Sequence, residues 1–337
     1  MSATLTELWA KYNSIGNADP MALVVDDEVH TAPNKGPPAP EDVERRAYLK
    51  QNILQIKCLS RVYNLQRQPE TVQSKIENHL NNLQYSNDTY ALIANIVRTV
   101  AFAFYTQKKD NFFEQCNTSD KNQRREYIYT HLNFLFANLA QTIMPNFERA
   151  AVSYCDKFPD ATGYTNLSEI KDFSEPYDLK NFVALNPTHE EADEEGMDTM
   201  NTVIHESTHK IMNAIYKALY IGEDLPVSPS IRLDAWVNQN FIDGNILSAE
   251  LVTNHYSIYR AIPDERLAFY AGNSFETWMR IIGAFPDDET NILADPEKRE
   301  QVINLFNDIE PTIRDWSDNR DKANDTMHQF FKDLYPS

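Results

Sequence analysis

His205 and His209 stand four residues apart in the run His205-Glu206-Ser207-Thr208-His209. Residues at i and i+4 share one face of a helix, so two imidazoles at this spacing can grip a single metal ion. Glu206 projects beside that face, within reach of a water held by the metal and outside its coordination positions. Zinc lowers the pKa of such a water to about 7, and a neighbouring carboxylate can then take its proton. The residue types point to metal-assisted hydrolysis with one zinc ion, His205 and His209 as ligands and Glu206 as general base.

This chemistry needs a helix. The approach Asp198-Thr199-Met200-Asn201-Thr202-Val203-Ile204 offers Asp198 and Thr199 as N-cap candidates, and no Gly or Pro interrupts the stretch up to Tyr216. Val203, Ile204, Ile211, Met212 and Ile215 supply apolar flanks that would bury it. The competing explanation is a core helix in which the two histidines are only hydrogen-bonded.

The motif resembles that of the zincin metallopeptidases, His-Glu-x-x-His on a buried active-site helix. The resemblance covers the motif and, more weakly, the region from about Phe182 to Met279. It implies a zinc endopeptidase acting on a protein or peptide, with His205 and His209 as zinc ligands and Glu206 as general base. It also implies an edge strand before the helix, along which an extended substrate lies. Phe182-Val183-Ala184-Leu185-Asn186, closed by Pro187, stands in that place. For the third ligand, Glu265-Arg266-Leu267-Ala268 is similar to the Glu-x-x-Ala pattern of the gluzincins. Glu265, Ala268 and Gly272 fall on one helical face, where small residues would allow close approach to the active-site helix. Glu265 is the favoured ligand, and Glu250 and His255 are the alternatives. His255 lacks the glycine-containing spacing of the metzincins, and the Gly-Thr-x-Asp element of the aspzincins is absent after His209. Each also has a plain structural reading: a helix cap for Glu265, a solvated carboxylate for Glu250, a hydrogen-bonded side chain for His255. An oxyanion donor beside the metal is expected, and spacing does not choose among Tyr256, Tyr259, Tyr270 and His255.

Two other classes compete with a peptidase. One is a non-catalytic helical interaction protein with a structural or vestigial metal site. Structural zinc usually has four protein ligands, often Cys, and Cys58, Cys116 and Cys155 all lie far from the motif in sequence. The other is a zinc hydrolase of a non-peptide substrate, which the motif alone allows.

Three scattered cysteines form no C-x-x-C pair and no disulfide framework. A net charge of −19 argues against nucleic acid as a partner, because phosphate binding depends on Lys and Arg clusters. The densest acidic run, Glu190 to Glu195, lacks the ligand alternation of an EF-hand and reads as a solvated loop. No basic region followed by an apolar run opens the chain, and the most apolar stretch, Tyr90 to Tyr105, is too short to span a bilayer. A soluble protein without a signal peptide is expected, cytoplasmic or exported by a leaderless route such as a bacterial effector system.

Eight glycines in 337 residues argue for long helices rather than a turn-dense β fold. The expected class is mainly α (α+β), with many helices around a small mixed sheet and an active-site helix of zincin type. Residues 1–40 read as a tail and Pro-rich linker, 41–150 as a helical subdomain, and 151–337 as the catalytic region with C-terminal helices. Helices are expected near 41–66, 70–84, 88–107 and 120–144, then near 231–241, 246–261, 264–282, 295–308, 311–317 and 320–334. Leu92, Ile96, Val100 and Phe104 form one i, i+4 core stripe. Ile128, Leu132, Leu135, Leu139 and Ile143 form another.

Overall fold

A computed structural model describes residues 40–66, 70–107, 132, 135–141, 151–154, 163–165, 182–185, 197–220, 225–243, 247, 249–285 and 295–335. The expected N-terminal tail (all but residue 40), the acidic run 190–196 and the ends of the 120–144 helix lie outside these residues. Ten helices are described: α1 (Pro40–Gln66), α2 (Glu70–Asn81), α3 (Asn87–Gln107), α4 (Met197–Tyr220), α5 (Pro229–Asp243), α6 (Ala249–Asn254), α7 (Tyr256–Ala261), α8 (Pro263–Ala284), α9 (Pro296–Arg314) and α10 (Arg320–Leu334). No helix among the described residues is long and apolar enough to cross a membrane.

The expected architecture of helices around a small mixed sheet is corrected. Of the residues whose side chains are described, 88% are helical and none lies in a strand, so the class is mainly helical. Among the described residues, extended structure is limited to backbone pairing of β1 (Ala151–Tyr154), β2 (Gly163–Thr165) and β3 (Phe182–Leu185), in the order β1-β3-β2. Segments of three or four residues are too short to organise a core between helices. The order also removes the expected edge strand. Phe182 to Leu185 pairs with β1 on one side and β2 on the other, so both of its ladders are occupied. A strand paired on both sides has no free edge for a peptide to join.

The chain divides into two compact units, each made of two separate stretches. The first comprises residues up to Tyr90 together with Met212–Arg266. Its core includes Ile56, Leu59 and Val62 of α1, and the Val72, Ile76, Leu80 stripe of α2. Asp234 of α5 ties this unit together. Buried to 1% exposure, it accepts from the Ser86 backbone N–H at 2.7 Å, the Ser86 hydroxyl at 2.6 Å and the Thr89 hydroxyl at 2.7 Å, and pairs with Arg45 of α1 at 3.0 Å. A side chain from another helix thereby caps the start of α3. The 246–261 helix is interrupted at His255, which separates α6 from α7.

The second unit comprises Ala91–Ile211 and Leu267–Ser337. The α3 core face is Ile93, Ile96, Val97, Val100 and Phe104, with Leu92 only half-buried. Leu132 of the other expected stripe is buried, whereas in 135–141 the buried positions are Phe136, Ala137 and Ala140, with Leu135 and Leu139 half-buried. Phe104 packs edge-on against Phe275 of α8, and Trp278 of α8 stacks on Phe306 of α9 with centroids 3.9 Å apart. Asp295 caps α9 by accepting from the Glu297 and Lys298 backbone N–H groups. α9 continues through Pro311, where a break was expected. Pro311 lies in the last turn, so its missing N–H forfeits a bond only at the helix end.

Candidate metal centre

Val203 to Met212 of α4 are buried without interruption, and six of these ten residues are polar: His205, Glu206, Ser207, Thr208, His209 and Lys210. Six consecutive residues point in all directions around a helix, so the apolar-in, polar-out pattern of a surface helix is absent here. Thr208 settles its hydroxyl by donating to the Ile204 carbonyl at 2.8 Å. Burying the remaining polar groups is unfavourable unless something pairs with them.

The helical spacing brings the two imidazoles together as expected. Their Nε2 atoms are 3.2 Å apart and the rings meet at 78°. In the absence of a metal one Nε2 donates to the other, according to tautomer. Two zinc–imidazole bonds of about 2.0–2.1 Å at a near-tetrahedral angle need nitrogens about 3.3 Å apart. The observed separation fits that requirement.

Packing within the second unit sets the approach of α8. Gly272 lies so close to α4 that a Cβ at this position would meet Asn201 Oδ1 at 2.1 Å and the Asn201 carbonyl oxygen at 3.0 Å. Asn201 in turn donates to Asn273 at 3.2 Å and to Glu276 at 3.3 Å. One turn earlier on α8, the Phe269 ring packs edge-on against His205 with centroids 4.7 Å apart, and it also contacts Trp316 at 5.0 Å between centroids. Glu265 is one further turn back on the same helical face. α8 is continuous from Pro263 to Ala284. One ligand atom each from His205, His209 and Glu265 lies within 4.8 Å of the others, a donor set suited to zinc.

The other third-ligand candidates are placed differently. His255 is held in the first unit by Tyr63, whose hydroxyl is 2.8 Å from its Nε2. Among the described residues it does not join the His205 group. Glu250 belongs to α6, and its side chain lies outside the described residues. Of the expected oxyanion donors, Tyr270 donates its hydroxyl to Glu310 at 2.9 Å, and its pKa is pushed up by burial and by that carboxylate. Tyr256 and Tyr259 stack on each other, with Tyr256 exposed.

Sequence reasoning passed over Lys210. It is buried, and desolvation lowers its amine to about 8 while the Glu206 carboxylate, one turn earlier, pulls it back up. The i, i+4 spacing of Glu206 and Lys210 was visible in the sequence, but their shared burial was not. No protein-family model, curated protein or solved structure matches this chain.

Proposed function

We propose that the chain is a zinc-dependent metallopeptidase that hydrolyses peptide bonds of a protein substrate. The observation that carries this reading is the convergence of His205, His209 and Glu265 donor atoms on a buried polar run that also contains Glu206. Zinc would be held by those three side chains, and when bound it supplies a Lewis acid that polarises a carbonyl and acidifies water. Glu206 takes a proton from the attacking water and holds it for the leaving amine. Lys210, one turn on from Glu206, places a buried amine beside that carboxylate. Zinc held by three protein side chains would be suited to catalysis rather than to a structural role, which usually takes four.

A second reading follows from burial. His205 at 8% and His209 at 3% exposure favour a small non-peptide substrate over an extended polypeptide. Glu206→Gln tests both, because it preserves shape and removes basicity. Zinc content should equal that of wild type, and hydrolysis should fall about a hundred- to ten-thousand-fold. New protein termini, compared between cells expressing wild type and Glu206→Gln, identify a peptide substrate. Metal-dependent turnover of small esters or amides without new termini selects the second reading. A Glu206→Gln protein as active as wild type overturns both.

A further inference from the structure

The His205 imidazole touches two other rings. His209 meets it at 78° with centroids 4.9 Å apart, and Phe269 of α8 meets it at 71° with centroids 4.7 Å apart. Phe269 leads on to Trp316, which lies in the turn between α9 and α10. The Trp316 indole N–H donates to Asn324 Oδ1 at 2.9 Å, and the Arg320 guanidinium stands 5.4 Å from the centre of its ring. A ladder of rings therefore links the α9–α10 turn to a buried histidine, wholly within the second unit. The helical spacing places the His205 side chain but does not fix its ring plane. The last torsion of a histidine is broad and roughly two-fold, so contacts with neighbours must choose the orientation. Zinc binding depends on that choice, because the ligating nitrogen has to aim its lone pair at the metal.

We infer that Phe269 is a positioning residue for the metal centre: its ring holds the His205 imidazole in the zinc-binding orientation, with Trp316 as its backstop. Metal-ligating histidines are commonly oriented by a hydrogen bond at the second ring nitrogen. A T-shaped ring contact restricts the plane by shape instead. Trp316 can serve as a backstop because its own indole is fixed by Asn324 from the α10 side. The assignment rests on the metal site of the proposed function and not on the reaction carried out there.

Two substitutions separate ring from bulk. Phe269→Leu keeps an apolar side chain and removes the planar ring, whereas Phe269→Tyr keeps the ring. In the full-length chain, competition against a chromophoric chelator should show Phe269→Leu binding zinc about three- to tenfold more weakly than wild type. Phe269→Tyr should stay within about twofold. With cobalt(II) in place of zinc, the visible absorption bands of Phe269→Leu should shift, which reports altered ligand geometry, and Phe269→Tyr should reproduce those of wild type. Phe306→Leu makes the same change at a ring stacked on Trp278 and should leave both readouts unchanged. Asn324→Ala releases the backstop from an exposed position and should weaken zinc in the same direction, and it alone decides if Phe269→Leu fails to fold. Wild-type zinc affinity and unshifted bands in the folded variants overturn the assignment. An equal loss in Phe306→Leu traces the effect to general packing and overturns it as well. A fully active Glu206→Gln protein overturns the hydrolysis reading and leaves this assignment standing. A wild-type chain that takes up no zinc overturns both.

Discussion

Asp234 and the His205 group are both buried polar clusters, and they are built in opposite ways. Around Asp234, donors surround a carboxylate: two from Ser86, one from Thr89 and a guanidinium from Arg45. Negative charge and positive or hydrogen-bearing partners balance, and the cluster is closed. In the His205 group, three electron-pair donors converge instead, from two imidazoles and the Glu265 carboxylate. Such a set is one that a cation can join. The contrast separates a cluster that holds helices together from one suited to bind something.

The largest effect expected on breaking this contrast is at the closed cluster. Asp234→Ala leaves the Arg45 guanidinium and the hydrogen-bond donors of Ser86 and Thr89 without their acceptor. Loss of one member of a buried, hydrogen-bonded ion pair is worth about 3–5 kcal/mol. Urea unfolding should show a loss of that order, while the folded variant keeps its zinc stoichiometry. A loss below about 1 kcal/mol would mean that the cluster is not structural in the sense argued here.

Next in size is the cost of charge on α4. The folded pKa of Lys210 is depressed from 10.5 to about 8, so the unfolded chain binds more protons across that window. Metal-free stability should therefore rise as pH increases from about 8 to 10.5, and be lost again as pH falls through 8. Each pH unit contributes up to about 1.4 kcal/mol. Lys210→Met should flatten this slope relative to wild type, and identical slopes in the two proteins would refute the burial argument.

The smallest effect sharpens the open cluster. Glu265→Gln should weaken zinc retention at least tenfold, about 1.4 kcal/mol, without lowering the stability of the metal-free chain. Glu250→Gln and His255→Ala should leave zinc retention unchanged. If either of those substitutions empties the site while Glu265→Gln does not, the third ligand is reassigned.

Much of the helical content was legible because it is local. The α2 stripe Val72, Ile76 and Leu80 is readable from period alone, as is the start of α9 at Asp295-Pro296. Legibility failed where a distant partner decides. The 246–261 pattern reads as one helix, yet it breaks at His255, whose ring is held by Tyr63, 192 residues away. The period expected in 120–144 holds at Leu132 but not in 135–141, where Phe136 and Ala140 are buried and Leu135 and Leu139 are half-buried. The strand at Phe182 was recognisable by composition, but composition does not say how many neighbours a strand has.

At the candidate site, the sequence by itself determined the pairing of His205 with His209 and the placing of Glu206 and Lys210 one turn apart. The 3.6-residue turn fixes both relations before any tertiary contact forms. Only the tertiary structure decided that all four would be buried, and that Gly272 would lie so close to Asn201 of α4. The physical reason is that helix geometry relates neighbours within a few residues, whereas burial and close approach depend on surfaces assembled from remote parts of the chain.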